Sequence, residues 1–431
     1  MIDRYQTPEM AAIWGPEAKA RTWFDVEIAI CRANEKLGNI PPGQTDAIEK
    51  NASFDLARMA ELEKETRHDL MAFVRNMAET AGGPGKYIHY GVTSYDVIDT
   101  ALALMLRASV DQLLRSSKEL RFEVARLARE HARTPMIGRT HGIHAEPITF
   151  GFKLAGWHAE LLRNEARLTA CREEISVGKV SGPVGVHGVG GPKVEEEVCR
   201  ILDLKPDPAS TQIVARDRHA SLINAVAVLG ASLERFATEL RNLQRTEILE
   251  VQEAFGSGQT GSSAMPHKRN PWNSETVCGL ARILRGNAQA MMESVATWHE
   301  RDLTNSSVER IVFPDTFHLA DFMLKRLTAI LRGLQVFPER MMKNLRRMGD
   351  LVFSEHVMVG LVSKGMARED AYKVAQRNAS KAWDGADFRS SIESDPDVSS
   401  RLSAKEIDEC FDLSHHLRFV EHTLQAAGIT N

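Results

Sequence analysis

Apolar side chains recur at every third or fourth position through three long stretches that contain no proline. These stretches lie between Pro84 and Pro135, between Pro147 and Pro183, and between Pro208 and Pro266. Such spacing is the signature of an amphipathic helix, whereas the strict alternation that indicates a half-buried strand is hard to find along the chain. The pattern predicts an all-α protein with unusually long helices.

A helix of about 35 residues is about 50 Å long, and several such helices side by side form an elongated bundle. Clusters of proline and glycine predict turns near 82–85, 135–147, 178–192, 205–208 and 256–271. From these breaks we predict an N-terminal helical domain at 1–90, a central long-helix domain at 91–348, and a C-terminal short-helix domain at 349–431.

Composition narrows the kinds of partner that the chain can bind. Its 431 residues are 43% apolar, which suffices for globular folding, and carry a formal net charge of −4. A nearly neutral balance argues against a nucleic-acid surface or a polybasic membrane contact. Any anionic ligand must therefore meet a local cluster of cations.

Cysteine usage and the chain start predict a cytoplasmic protein. The five cysteines are scattered, odd in number and without a CxxC pair, so they suggest neither zinc nor redox work. The first ten residues, MIDRYQTPEM, lack the apolar core of a signal peptide. No apolar run is expected to approach the roughly 20 residues of a membrane span.

The segment GSSAMPHKRNP, Gly261 to Pro271, gathers hydroxyls, an amide and three potential cations in eleven residues. Its two prolines exclude a helix, because each removes a backbone donor and clashes with the preceding turn. Glycines before it predict mobility and the prolines predict a fixed shape after it, a combination that suits a lid carrying reactive groups. The alternative, a surface loop with solvated charges, would be plausible if the segment contained only Lys268 and Arg269.

Two further segments carry polar groups near predicted helices. TRHD, Thr66 to Asp69, falls within the helical pattern ELEKETRHDLMAFV, where a charged helix face is the plain interpretation. In GVTSYDVIDTA, Thr93 and Asp96 resemble a capping box that opens the long helix. A helix N-terminus with free hydroxyls also favours an anion, so Thr93 and Ser94 serve both interpretations.

The segment GRTHGIHAEP, Gly138 to Pro147, places His141 and His144 in a predicted loop. They are weak metal ligands, since no cysteine or second histidine pair completes a coordination set. Imidazole titrates near neutral pH, so proton transfer is the better hypothesis for a histidine here.

In WHERDLTNSSVERIVFPD, Arg301, Ser306, Ser307 and Arg310 can surround a polyanion if the chain turns at TNSS. The glycine-rich stretch GKVSGPVGVHGVGGP, 178–192, matches neither phosphate-loop pattern. We interpret it as a turn between helices.

Together these segments give the chain a resemblance over essentially its whole length. The sequence resembles the fumarase/aspartase superfamily and, within it, the adenylosuccinate lyase family. GSSAMPHKRNP matches the superfamily signature residue for residue. TRHD, GVTSYDV, GRTHGIHAEP, STQIVARDRHA and SSVER follow the order and spacing expected of the lyase. HGVGGP departs from the less glycine-rich segment of the family.

The resemblance implies an all-α homotetramer in which central helices form a shared bundle and each active site draws on several subunits. Distant motifs on very long helices converge most simply across a symmetric interface. The implied substrates are small molecules, adenylosuccinate and succinyl-aminoimidazole carboxamide ribotide (SAICAR). The implied products are AMP, AICAR and fumarate, with no metal and no cofactor.

Both implied reactions are β-eliminations, which need a base, an acid and positive charge at a carboxylate. By resemblance Ser262 is the base, His141 protonates the departing nitrogen, and Lys268 with Asn270 stabilises the charge. Glu275 is a carboxylate partner for His141. The resemblance implies catalytic roles for His68, His141, Ser262, Lys268 and Glu275.

The resemblance also implies how the nucleotide is held. Arginines and hydroxyls hold its phosphate, and the TRHD segment lines the nucleotide. The implied substrate-binding residues are Arg4, Tyr5, Arg67, His68, Asp69, Thr93, Ser94, Gln212, Ser263, Lys268, Asn270, Arg301, Ser306 and Arg310.

Two alternatives remain open on sequence alone. One keeps the fold and changes the substrate, as in argininosuccinate lyase or a cycloisomerase of the superfamily. Arg4, Tyr5 and the SSVER segment discriminate, because they suit a phosphate that argininosuccinate lacks. The other is a non-catalytic helical scaffold or an RNA-binding regulator, against which the intact Ser262 and His141 count.

Overall fold

The protein is mainly helical in the computed structural model, which describes residues 1–256 and 264–429. Its α-helices, numbered α1 to α19 in chain order, are Pro8–Trp14, Pro16–Lys36, Gln44–Asn51, Leu56–Thr66, Asp69–Ala81, Ser94–Glu130, Phe150–Ile175, Pro192–Ile201, Asp217–Leu243, Trp272–Glu293, Thr304–Arg332, Pro338–Leu345, Ser354–Ser363, Arg368–Trp383, Phe388–Ser394, Pro396–Ser399, Ala404–Cys410, Leu413–His416 and Val420–Ala426. Short 3₁₀ helices lie at Asp3–Tyr5, Gly83–Tyr87 and Arg346–Phe353. The predicted all-α class is confirmed.

Short strands pair in twos within the described residues. In chain order, β1 to β6 are Pro135–Thr140, Ile143–Thr149, Val177–Gly178, Lys205–Pro206, Val251–Gln252 and Gln335–Val336. The pairs β1–β2 and β5–β6 are antiparallel and β3–β4 is parallel.

The proline-free stretches form the predicted long helices. Helix α6 has 37 residues, α7 has 26 and α9 has 27. Helix α6 begins at Ser94, where the Thr93 backbone N–H donates to the Asp96 carboxylate at 2.8 Å. This bond is one half of the predicted capping box, and it fixes the start of the longest of these three helices.

Two local predictions were wrong. TRHD lies at a junction between helices, because α4 ends at Thr66 and Arg67 adopts a left-handed φ of 51°. The segment around His141 is a β-hairpin, with β1 and β2 joined through His141 and Gly142. Both turn residues have positive φ, 55° and 81°, as a two-residue type I′ turn requires.

The described residues group into two compact units. Unit 1 comprises Met1–Lys118, Arg163–Glu234 and Thr276–Arg326, and unit 2 comprises Glu119–Leu162, Arg235–Glu275 and Leu327–Asn431. The division into three domains at 90 and 348 stays a prediction.

Each unit has its own apolar core. In unit 1, α2 buries Trp23 and Ile30 against Phe73 and Met77 of α5. In unit 2 the C-terminal helices bury Phe353, Val357 and Phe388. These cores support the polar groups described below.

Helix α9 is long and apolar enough, by length and composition, to cross a membrane, which the sequence analysis did not predict. Of its most apolar window, 67% is buried inside the protein, as is usual for a core helix. This is weak evidence for a membrane contact.

Candidate active site

The TRHD junction in unit 1 presents polar side chains where two helices meet. Arg67 ends α4 with an exposed side chain, and His68 is the N-cap residue of α5. His68 Nε2 lies 3.3 Å from Ser94 Oγ at the start of α6. The structure thus brings two sequence-predicted residues, 26 positions apart, within hydrogen-bonding distance.

Asp69 is the anionic centre of this part of unit 1. Its carboxylate lies 2.8 Å from Arg310 and 3.8 Å from Lys19. Burial acts to raise the pKa of Asp69, but Arg310 and Lys19 outweigh it and hold the pKa below its ordinary value. Asp69 therefore stays ionised and orients two cations, of which Lys19 was missed from sequence.

The start of α6 carries a second polar cluster. Arg301 places its guanidinium 3.5 Å from the centre of the Tyr95 ring and donates to Gln212 Oε1 at 3.0 Å. Gln212 in turn donates to the Pro183 carbonyl. Ser306 is buried and bonds Tyr95, whose pKa is raised by burial despite this bond. Among the predicted residues, Arg301 and Ser306 contact Tyr95, and Gln212 joins them through Arg301.

The Arg301 guanidinium keeps an unused donor. Its Nε is buried and has no hydrogen-bond partner among the described residues. A buried unpaired donor is costly unless a ligand or water satisfies it. The atom is consistent with an anionic or polar group binding beside Tyr95.

A cavity of about 310 Å³ in unit 1 lies against several of these groups. Trp14, Trp23 and Phe313 line it together with Asp69 and Arg310. Ligand pockets commonly combine apolar walls with a few polar groups, as here.

A buried ionic network frames this region and was not predicted. Arg216, with a fully buried side chain, contacts Asp99 at 2.7 Å and Glu309 at 2.7 Å. Asp99 belongs to α6, while Glu309 neighbours Arg310 on α11. Three segments recognised as motifs are therefore joined by one guanidinium.

The glycine-rich stretch also has an anchor. Lys179 and Asp96 are fully buried, and Lys179 Nζ lies 2.5 Å from Asp96 Oδ1. Ser181 and Gly182 donate their backbone N–H groups to the same oxygen. This stretch is tied to the N-terminal turn of α6.

Arg4 and Tyr5 lie apart from the Arg310 cluster along α11. The Tyr5 ring meets Phe322 edge-on, with centres 5.2 Å apart, and Arg4 is exposed. Phe322 follows Arg310 by twelve positions, about 18 Å along a helix. The structure does not join Tyr5 and Arg310 in one cluster.

In unit 2 the hairpin presents His141 at its turn. The side chain is exposed and makes no hydrogen bond among the described residues. Two positions earlier, Arg139 forms two bonds to the buried Glu250, at 3.0 and 2.7 Å. Asn344 donates to the same carboxylate. The base of the turn is therefore held firmly while its tip faces outward.

Ser262 and Ser263 lie outside the described residues. From Ala264 the chain is non-helical up to α10, as the prolines predict, and the Lys268 N–H donates to the Met265 carbonyl at 3.1 Å. The Lys268 side chain is exposed and Asn270 is half-buried.

Neighbouring polar groups hold the C-terminal end of this segment, where it leads into α10. Gln244 donates to the Arg269 carbonyl and accepts from the Glu253 N–H. Glu253 accepts from the backbone and hydroxyl of Ser274 in the first turn of α10. Glu275 follows with an exposed side chain and, within the described residues of this chain, makes no hydrogen bond or ion pair with His141.

Sequence reasoning found polar segments but missed the residues that hold them. Three of these residues, Arg139, Asp99 and Glu309, lie inside the quoted motifs. That position was the one signal in the sequence that they belong to the candidate site. Lys19 and Glu250 lie outside every motif and carried none.

Two family models match the chain. The model described as Lyase matches residues 3–286, and the model described as Adenylosuccinate lyase C-terminus matches residues 350–427.

Curated relatives and solved structures are similar over nearly the full length. An adenylosuccinate lyase from Synechocystis is 53% identical over 97% of each chain, and one from Bacillus subtilis is 45% identical over 100% of each. A crystal structure of a fumarate lyase from Mesorhizobium sp. BNC1 gives a TM-score of 0.90 at 27% identity, covering 99% of each chain. A 3-carboxy-cis,cis-muconate lactonizing enzyme from Pseudomonas putida gives 0.88 at 28% identity, covering 98% of this chain and 96% of the other.

Proposed function

The chain belongs to the adenylosuccinate lyase family, and from that premise we propose which of its residues perform the reaction and in what assembly. The enzyme is a fumarate-releasing lyase that cleaves adenylosuccinate to AMP. It releases fumarate from SAICAR in the same way, giving AICAR. The observation that carries this conclusion is the 53% identity to a curated adenylosuccinate lyase across 97% of both chains.

The elimination requires removal of a weakly acidic proton from the carbon next to a carboxylate. We propose Ser262 as the base, activated by Lys268 and by exclusion of water. Lys268 and Asn270 stabilise the additional charge on the carboxylate before the C–N bond breaks. His141 then donates a proton to the departing nitrogen, with Glu275 as its partner.

The phosphate and the dicarboxylate bring about four negative charges to a chain whose own net charge is −4. Arg301, Ser306 and Arg310 are proposed to hold the phosphate. The unused Arg301 Nε supports this assignment. Arg4 and Tyr5 are proposed to contribute to a phosphate site as well. Thr93 and Ser94 suit a carboxylate, because they open α6 where backbone N–H groups favour an anion.

The other proposed substrate contacts come from residues already placed in the structure or in the signature segment. Arg67, His68 and Asp69 line the nucleotide, and Gln212 and Ser263 reach the substrate. His68 is also assigned a catalytic role, supported by its position 3.3 Å from Ser94.

We propose that the enzyme is a homotetramer whose active sites draw on several subunits. His141, Lys268 and Glu275 all have exposed side chains in the single chain. An elimination of this kind proceeds best where water is excluded. These side chains must therefore be shielded from solvent by other parts of the protein. A symmetric assembly supplies that cover.

Mixing two inactive variants tests the shared site. His68→Ala and His141→Ala are each prepared, then dissociated together and reassembled. Shared sites predict that fumarate release returns in the mixture, because some sites receive neither substitution. Hybrid tetramers without any recovered activity would contradict the shared-site proposal.

Substrate choice is tested by following fumarate release from adenylosuccinate, with argininosuccinate as the parallel substrate. We expect turnover of adenylosuccinate alone. Turnover of argininosuccinate alone would overturn the substrate assignment and leave the fold unaffected.

A further inference from the structure

Two carboxyl groups face each other in unit 2, and the proposed reaction does not use them. Glu146 lies on β2 of the His141 hairpin, and Glu355 lies in the first turn of α13. Both line a cavity of about 470 Å³ and are within hydrogen-bonding reach of each other. Two ionised carboxylates at this separation repel, so the arrangement calls for a proton between them.

The hydrogen bonding of Glu146 also indicates a shared proton. Its Oε1 is buried and, with both carboxyls ionised, has no donor among the described residues. One shared proton gives that oxygen a partner. Burial raises the pKa of Glu146 to about 7, and the neighbouring Glu355 adds to the increase.

A second contact attaches the next position of the same strand. His416 Nε2 lies 2.8 Å from the Pro147 carbonyl oxygen, which accepts a hydrogen bond. With Nε2 as donor, His416 Nδ1 accepts from His356 Nε2, 2.6 Å away. Burial and His416 lower the pKa of His356, which favours this neutral chain of hydrogen bonds. Two adjacent residues of α13 therefore hold two adjacent positions of β2. Glu355 contacts Glu146, and His356 reaches Pro147 through His416.

The strand transmits position to the proposed acid. Thr140 pairs with Ile143 on either side of the turn, and Glu146 lies three residues further along β2, about 10 Å away. The register shifts at Gly138 beside Glu146, where an added Cβ would lie 2.9 Å from the Glu146 carbonyl oxygen. The hairpin is therefore tightly packed beside Glu146.

Other titratable and charged side chains line the same cavity as the pair. The remaining titratable and charged side chains of the cavity are His356, Lys364, Glu406, Glu409, Cys410, His415 and Arg418. Lys364 lies 2.5 Å from Glu406, and on the hairpin Arg139 is bound to Glu250.

We propose that one proton shared by Glu146 and Glu355 fastens β2 to α13, and that this contact positions His141 for proton transfer. Glu146 and Glu355 are positioning residues, since they act through the hairpin. The link to catalysis rests on the proposed role of His141, whereas the attachment itself does not.

Amide hydrogen exchange of the β2 segment in the intact enzyme tests the attachment without any turnover. In the wild type, after correction for intrinsic exchange, protection should fall as pH rises from about 4.5 to about 7, by up to about tenfold per pH unit, and should level off above that. Glu146→Gln keeps a permanent donor toward Glu355, so its protection should stay constant with pH. Glu355→Gln should behave alike.

Two further variants and one kinetic readout complete the test. Glu146→Ala should lose protection at every pH, while Glu406→Gln, in the same cavity, should follow the wild type. In turnover of adenylosuccinate, the ratio of kcat for Glu146→Gln to wild type should rise as pH rises to about 7, with KM nearly unchanged. Wild-type pH dependence in Glu146→Gln, or equal protection in the Gln and Ala variants, would overturn the proposal. If exchange behaves as expected while adenylosuccinate is not cleaved, the proposed function fails and the attachment stands.

Discussion

Replacing Arg216 with methionine should cost the enzyme more stability than any exposed arginine substitution. The guanidinium is fully buried and contacts Asp99 at 2.7 and 2.8 Å and Glu309 at 2.7 and 3.2 Å. Its loss leaves two buried carboxylates without their cation. Breaking a buried pair in this way typically costs about 3–5 kcal/mol, and we expect that loss in the free energy of unfolding near neutral pH.

The cost of Arg216→Met should depend on pH in a definite direction. Burial acts to raise the pKa of Asp99, and Arg216 outweighs burial and holds the pKa below its ordinary value. In the wild type this contribution is present above the unfolded pKa of about 3.9 and is lost as pH falls. In the variant burial is opposed only by His219 and by the Val214 N–H, so Asp99 binds a proton at higher pH than in the wild type. The stability difference between the two proteins should therefore shrink from about pH 8 to about pH 5.

Urea unfolding followed by far-ultraviolet circular dichroism measures this effect at one fixed protomer concentration, because assembly adds to apparent stability. Arg58→Met is the matched control, since Arg58 also holds two carboxylates, Glu61 and Glu79, but does so in solvent. The control should change little. An Arg216→Met variant no less stable than the control at about pH 8 would refute the reasoning.

Two other substitutions probe the hairpin. His141→Gln should lower kcat about 10² to 10⁴-fold with the fold intact, measured by fumarate release beside the exposed-site control His422→Gln; parent activity would remove His141 as the acid. Gly138→Ala should lower the free energy of unfolding by about 1–3 kcal/mol, because its Cβ would lie 2.9 Å from the Glu146 carbonyl oxygen. Gly156→Ala, with nothing within 4 Å, should instead be neutral or stabilising in a melting experiment, and an equal effect of the two would contradict the packing argument.

The long helices were predictable because their apolar spacing repeats over many turns. A break of one residue between two helices barely changes this apolar spacing. The helix was therefore wrongly predicted to continue through TRHD. Arg67 adopts a left-handed φ of 51° without being glycine, so nothing in its type marks the end of α4. The hairpin was missed for a related reason. Its turn, at His141 and Gly142, has only two residues, and it joins a single pair of short strands.

Sequence motifs supplied the residues proposed for the candidate site, but not the groups that hold them. Recognisable motifs identified Arg301, Arg310 and His141. The groups that hold them pair across great sequence separations, such as Arg216 with Asp99, 117 positions apart. Lys179 is likewise fully buried, although lysine is seldom buried unless it is paired. Only the tertiary structure shows which charges find partners.

The most direct measurement is the release of products by the purified enzyme supplied with adenylosuccinate alone. The account predicts AMP and fumarate in equal amounts, and much slower release from the analogue that lacks the phosphate, because the contacts proposed for Arg301 and Arg310 are then lost. Absence of fumarate with either compound, or equal rates with both, would contradict it.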